Sequence, residues 1–294
     1  MRCDVSDVEQ TLIPAQRRRL IREYLEIHQI ARSSTLSDLL KASEATIRRD
    51  LEYLELQGVV ERTHGGAILS QRLPKEPAYA HSAQAHPEEK RAIGRAAAML
   101  VEDGDTVFLN SGTTTTEVLR NLRLRTDLPN LTLLTSNVTA ALEVRDAPFE
   151  VILLGGTLRP RSNSVAGRFA IDMLKQVYAK KCFVGVDGIS LKYNITTPSS
   201  AEAEIAAVMI ERTRGLAVVV ADHSKWGVVS NFEMAKIDQI QVLVTDENLS
   251  DDARSQLEGR SVEVVVASRE FEPEGFLRSR AEQEKPNAVV LQDS

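Results

Sequence analysis

Long apolar runs are missing from this 294-residue chain. No stretch approaches the roughly 18 residues that a membrane-spanning helix requires. Cysteine is scarce as well. Cys3 and Cys182 stand far apart in unlike surroundings, which excludes a disulfide framework and a cysteine metal quartet and fits a reducing compartment. The first residues, MRCDVSDVEQTLIP, carry acids and no apolar core, so no secretory signal is expected. Together these absences point to a cytoplasmic protein without a membrane partner. The rest of the composition is ordinary for a soluble chain: 43% hydrophobic and 27% charged residues, enough for two domains with one sizeable core.

Charge is also short on the positive side, with a formal net of -6. A protein coated in nucleic acid is thereby excluded. The deficit is uneven, however. Residues 14–70 hold nine Lys/Arg against eight Asp/Glu, a net of +1. A small, locally basic module on an acidic body is compatible with DNA binding through one face.

Within that module the spacing predicts three helices and a hairpin. Pro14 opens a helix over 14–28, where Leu20, Tyr24 and Ile27 recur on one face behind Arg17, Arg18 and Arg19. Thr35 and Asp38 form a capping-box-like pair for a short helix to Leu40. Ser43 is a suitable N-cap for a third helix over 44–57 ended by Gly58, with Ile47, Leu51 and Leu54 inward. Its outward face begins with Glu44, Thr46, Arg48 and Arg49. Hydroxyls and guanidinium groups in the first turns of such a helix are suited to reading base edges in a major groove. The run from Val59 to Leu69 turns at Gly65-Gly66 and reads as a wing carrying Arg62, Thr63 and His64 at its tip. Arg32, Ser34 and Thr35 complete the candidate DNA-contacting set. The competing assignment is a three-helix interaction module with a solvated charged face.

Residues 71–87 show no period and read as a linker. A helix is expected over 88–101, and beyond it apolar strand-like runs alternate with helical stretches: 106–109, 131–134, 151–154, 182–186, 216–220, 242–244 and 262–266. The rhythm predicts a parallel α/β sheet covered by helices on both faces. The fold class expected is therefore α/β, a winged helix-turn-helix over 14–70 followed by a larger parallel-sheet effector domain over 88–270. Residues 271–294, acidic and without period, read as a disordered tail.

The segments just past the strands carry the chemistry. The chain gives Asn110-Ser111-Gly112-Thr113-Thr114-Thr115, then Ser136-Asn137, Gly155-Gly156, Asp187 and Asp222-His223-Ser224-Lys225. Ligands of parallel sheets sit beyond the carboxyl ends of the strands. Glycine and hydroxyls before a helix start can cradle an anion, ideally phosphate. The lysine of a nucleotide-binding phosphate loop is lacking, so a nucleoside triphosphate is not expected. A helix cap with hydroxyls facing water is the alternative for the Ser111–Thr115 segment.

No nucleophile elbow is present, and no catalytic set is assigned. Histidines 28, 81 and 86 read as solvated or capping residues. No spacing suggests zinc, and no cofactor is expected. Cys182, within an apolar strand, reads as core.

Two sets of residues carry a family resemblance. SEATIRRDLEYLELQGVVERTHGGA resembles the signature of DeoR-family bacterial regulators, and NSGTTT, LTSN, LLGGTL, GVDGIS and ADHSKWG resemble that family's effector-domain motifs. The resemblance implies an effector domain similar to ribose-5-phosphate isomerase in fold. It also implies a double-stranded DNA operator, a small phosphorylated sugar as effector, and a homodimer or homotetramer. Carried residue by residue, the implied effector pocket is Asn110 to Thr115, Ser136, Asn137, Gly155, Gly156, Asp187, Glu202 and Asp222 to Lys225. The chain departs from the pattern at Asn110, where the family usually has Asp, and at Ala206-Ala207, where it commonly has Lys-Arg. The expected activity is sugar-gene repression relieved by that ligand. The residue pattern is equally compatible with activation. The alternative from another class is a sugar-phosphate isomerase with an appended DNA-binding module. Against it, 190–200 lacks the glycine-rich, lysine-bearing loop of such enzymes.

Overall fold

The computed structural model describes residues 12–28, 30–56, 59–63, 65–69 and 77–268. His64, the helix stop at Gly58, Cys3 and the 271–294 tail lie outside them. The chain divides into two units, residues 1–77 and 78–294.

In the first unit, helix α1 (Pro14–His28) leads into strand β1 (Ile30–Arg32), helix α2 (Ser33–Leu40) and helix α3 (Glu44–Leu56). Strands β2 (Val60–Thr63) and β3 (Gly66–Leu69) form the expected hairpin. Ile21, Leu25, Leu36, Ile47, Leu51 and Leu54 bury the helical stripes in one core with Val60 and Ala67. The Ser43 hydroxyl caps α3 by accepting the Thr46 N–H at 3.2 Å.

Two local expectations are corrected. α2 starts at Ser33, behind Arg32, and has no side-chain cap, so the Thr35–Asp38 pair lies inside the helix. The sheet has three strands, because β1 pairs antiparallel with β3. That third strand fixes the glycine requirement. A Cβ on Gly66 would stand 2.0 Å from the Ala31 carbonyl oxygen, whereas one on Gly65 would meet nothing within 4 Å.

The second unit begins earlier than expected. Residues read as linker hold helix α4 (Tyr79–Gln84), and α5 (Pro87–Ala98) comes directly after it. Next come β4 (Thr106–Leu109), α6 (Thr113–Arg123), β5 (Thr132–Thr135), α7 (Val138–Glu143) and β6 (Glu150–Leu153). A hairpin of β7 (Thr157–Arg159) and β8 (Ser164–Ala166) and helix α8 (Arg168–Leu174) lead to β9 (Ala179–Gly185). After β10 (Gly188–Ser190) and β11 (Asn194–Thr197) come α9 (Ser200–Glu211) and β12 (Thr213–Val220). The remainder is β13 (Phe232–Ala235), β14 (Val242–Asp246), α10 (Asp251–Glu258) and β15 (Glu263–Ala267).

Seven of these strands form one parallel sheet, in the order β15-β14-β12-β9-β4-β5-β6. They are the seven expected from the apolar runs. Their side chains alternate between two cores. Val107, Leu109, Phe183, Val218 and Val220 pack with α5 and α6, while Phe108, Cys182, Val184 and Val219 pack with α8 and α9. Burial on both faces explains why the strands read as continuous apolar runs. From β4 the chain steps outward through β5 and β6, then returns to place β9 on the other side of β4. The carboxyl ends of β4 and β9 thus flank a topological switch point, where parallel sheets bind ligands. Among the described residues, no helix is long and apolar enough to cross a membrane.

Candidate functional site

On the first unit, Ser34, Thr35, Ser43, Glu44, Arg48 and Arg49 are exposed along α2 and α3, with Thr46 half-buried. Arg32, Thr63 and Gly65 are exposed on the sheet. Arg48 leans on Glu44 at 3.6 Å, a solvent-facing pair one turn apart.

The arginine run does not act together. Arg17 is buried, donates Nε to the buried Asp50 carboxylate and bonds the Leu12 carbonyl at 2.8 Å. Arg18 meets the other Asp50 oxygen at 2.9 Å and lies over the Tyr53 ring. These two join α1 to α3. Only Arg19 of the three is exposed, with Glu23 at 3.5 Å. Arg62 is corrected likewise. It reaches back to α3, to Glu52 at 3.6 Å and to the Arg48 carbonyl at 3.4 Å, and does not extend from the wing tip.

On the second unit, the expected residues line the carboxyl edge of the sheet in strand order. Asp222, Asp187, Asn110, Ser136 and Gly155 lie just past β12, β9, β4, β5 and β6, and Asp246, which was not expected there, ends β14. Several of them serve the scaffold. The Asn110 amide donates to the Gly185 carbonyl at 2.9 Å and accepts the Gly185 N–H at 2.8 Å. The Asn110 amide thereby joins the ends of β4 and β9. The Thr115 hydroxyl, fully buried, bonds the Asn110 and Gly112 carbonyls. Asn137 is fully buried too. It caps α7 through Ala140 and donates to the Gly112 carbonyl at 3.0 Å and to Thr116 at 2.9 Å. Thr116 donates in turn to Gly112, which makes Tyr79 the donor in its 2.7 Å bond to Thr116. This brace holds the Ser111–Thr115 loop at the start of α6.

Toward the cleft, Glu202 at the start of α9 gathers hydroxyls from distant segments. Its carboxylate accepts from Ser111 at 3.2 Å and from Ser164 at 2.8 Å, with Arg159 at 3.7 Å. Ser164 and Arg159 lie on the β7–β8 hairpin and were not expected here. That hairpin also explains Gly156, whose φ of 152° sets it close under the Ala166 carbonyl. Ser136 contributes a buried hydroxyl without a hydrogen-bond partner. Of Ala206-Ala207, the first is fully buried in the core and the second is exposed.

The charged part of the edge centres on Asp222. Its Oδ1 accepts from Ser224, while its Oδ2 is buried with no hydrogen-bond partner. Burial favours the neutral acid, but Lys225, Ser224 and Lys90 outweigh it and hold the carboxyl below its ordinary value. His223 bonds Asp246 through Nδ1 at 2.9 Å. Burial would raise the Asp246 carboxyl, yet the bonds from the His223 side chain and backbone hold it down at about 2. Asp187 accepts from Thr197 at 2.8 Å.

Like Asp246, two further residues of the charged part escaped the sequence. Lys90 is buried and donates to the Ser82 and Ala85 carbonyls, both at 2.6 Å. Burial brings its ammonium down to about 8, against the pull of Asp222. Its signal was there: Lys90 stands three residues before Ile93, a cation on an apolar stripe. His86, expected to be solvated or capping, starts α5 without a side-chain cap bond and is half-buried, its ring 5.0 Å from that of His223. Cys182 is core as expected, its thiol pushed up to about 11 by burial.

Residues 17–72 match the DeoR-like helix-turn-helix domain, and residues 85–247 match the DeoR C terminal sensor domain. The chain belongs to the DeoR family of transcriptional regulators. It is 34% identical over 254 residues to the HTH-type transcriptional regulator GlpR of Haloferax volcanii, covering 86% of this chain and 98% of that protein. It is 32% identical over 251 residues to the HTH-type transcriptional repressor GlcR of Bacillus subtilis, covering 85% and 95%. These relatives are DNA-binding regulators, and this chain is likewise a regulator and not an enzyme. A solved ribose-5-phosphate isomerase from Methanocaldococcus jannaschii is 16% identical over 47% of this chain and 53% of its own, with a TM-score of 0.35. That likeness is too slight to argue from.

Proposed function

We propose that this DeoR-family protein represses sugar-metabolism genes in the cytoplasm and leaves its operator when a small phosphorylated sugar binds the second unit. The observation that supports it is the make-up of the switch-point edge. Ser111 and Gly112 precede α6 and Thr113 to Thr115 form its first turn, whose N–H groups have no carbonyl one turn back within the helix and therefore favour an anion. Glu202, Asp187 and Asp222 supply acceptors for sugar hydroxyls, while Lys90 and Lys225 supply positive charge. On the first unit, Arg48 and Arg49 would read bases in the major groove with Ser34, Thr35, Ser43, Glu44 and Thr46 beside them. Arg32, Thr63 and Gly65 would meet the backbone. A symmetric operator would require a homodimer or homotetramer.

The test is a thermal-shift screen of the full chain against sugars with and without phosphate, with operator release then read in gel shifts. A ligand at 100 times its Kd stabilises the folded state by about 2.7 kcal/mol. If no sugar phosphate stabilises the protein while an unphosphorylated sugar does, the phosphate assignment fails.

A further inference from the structure

We propose that His86, Asp222 and His223 form a binding site for a divalent transition-metal ion of the zinc class. Each offers one ligand atom, and the three atoms lie within 4.8 Å of one another. A zinc ion holds nitrogen and oxygen ligands at about 2.0–2.2 Å.

The second observation is independent of the spacing. Asp222 is 2% exposed, and its Oδ2 has no hydrogen-bond partner, although Oδ1 is fixed by Ser224. A buried carboxylate oxygen without a donor costs free energy that a bound cation would recover.

The third observation concerns His223. Its Nδ1 is engaged by the Asp246 carboxylate at 2.9 Å, and its backbone N–H donates to the other Asp246 oxygen at 2.8 Å. A carboxylate on one ring nitrogen orients the other as a metal ligand, the arrangement that surrounds most metal-binding histidines. Here it leaves Nε2 to ligate. His86 comes from the start of α5 and the other two from the loop after β12, so the ion would tie α5 to the sheet edge. Two imidazoles and a carboxylate suit zinc better than magnesium or calcium, which prefer all-oxygen sites. Three protein ligands also leave a fourth position open to an oxygen from solvent or effector.

The competing assignment makes Asp222 only a counter-ion for Lys90 and Lys225, which are close enough to act on its carboxyl. Neither ammonium donates a hydrogen bond to Oδ2, and Lys90 bonds the Ser82 and Ala85 carbonyls. That assignment also gives no role to the paired imidazoles. The metal site stands whether or not the effector is a sugar phosphate.

The test is calorimetric titration of the chelator-stripped, full-length protein with Zn2+, with Co2+ as an optical probe of coordination. The expected result is one ion per chain at this site and a visible Co2+ band of four-coordinate intensity. His86→Ala and His223→Ala should each weaken binding by about tenfold or more, and Asp246→Asn, which keeps all three ligands, by about 10–100-fold. Circular dichroism checks folding, and His86→Ala decides if His223→Ala does not fold. A wild-type protein that takes up no Zn2+ would overturn the proposal. So would a folded His86→Ala variant with wild-type affinity and an unchanged Co2+ band.

Discussion

The Asn110 side chain closes a two-way bond with the Gly185 peptide, donating to its carbonyl and accepting its N–H across the β4–β9 boundary. An amide does both, whereas an ionised carboxylate can only accept. Asn110→Asp would keep the acceptor and set a carboxylate oxygen against the Gly185 carbonyl in a site that is 3% exposed. The expected cost is about 1–3 kcal/mol of stability, read as a lower urea midpoint with an unchanged slope. An Asn110→Asp protein as stable as wild type would show that the clamp contributes nothing.

The arginines of the first unit should separate into two behaviours. Arg17→Ala removes a buried partner of Asp50, and breaking such a pair costs about 3–5 kcal/mol, toward the low end because Arg18 remains on Asp50. Its melting temperature should fall. Arg49→Ala, exposed on α3, should leave the melt unchanged and weaken operator binding by about 1–3 kcal/mol with relaxed specificity at one base pair. Melts and binding isotherms on the two variants distinguish the roles. If Arg17→Ala melts like wild type and only binds DNA less well, the division is wrong.

Neighbouring glycines of the wing should also part company. Gly66→Ala forces a Cβ into the Ala31 carbonyl and should cost about 2 kcal/mol or more. Gly65→Ala meets open space and should stay within about 0.5 kcal/mol of wild type. Equal melting temperatures for the pair would contradict the β1–β3 approach.

The proposed effector edge predicts a regulator that has lost its release. Thr114→Ala combined with Lys225→Ala removes a hydroxyl of the anion loop and a cation near Asp222, while leaving the first unit intact. The double variant should bind its operator as wild type does and no longer respond to the sugar phosphate, because a ligand shifts an equilibrium only by differential affinity. Gel-shift titration decides. Release at the wild-type ligand concentration would place the effector elsewhere.

The sheet was legible because both faces of its central strands are covered, so these announce themselves as apolar runs. Strands β7, β8, β10, β11 and β13 carry no such run. They are three or four residues long and partly polar, and their pairing depends on partners elsewhere in the chain. The candidate sites divide in the same way. Glu202, on the first turn of α9, came only from the family resemblance, while Asp187 and Asp222 stand where strand ends predict ligands. Asn110, Thr115 and Asn137 stand there too, yet spend their polar atoms on backbone carbonyls that only the fold brings near. Arg17 was misplaced because its partner, Asp50, lies 33 residues away on another helix.

The Tyr79–Thr116–Asn137 brace has a mechanical consequence. Tyr79 is the second residue of the second unit, and its hydroxyl hangs on the same helix whose first turn frames the Ser111–Thr115 loop. Lys90 grips the other end of that short α4 segment by two carbonyls. The first residues of the second unit are thus held by the same side chains that support the Ser111–Thr115 segment, so Tyr79→Phe should loosen both together.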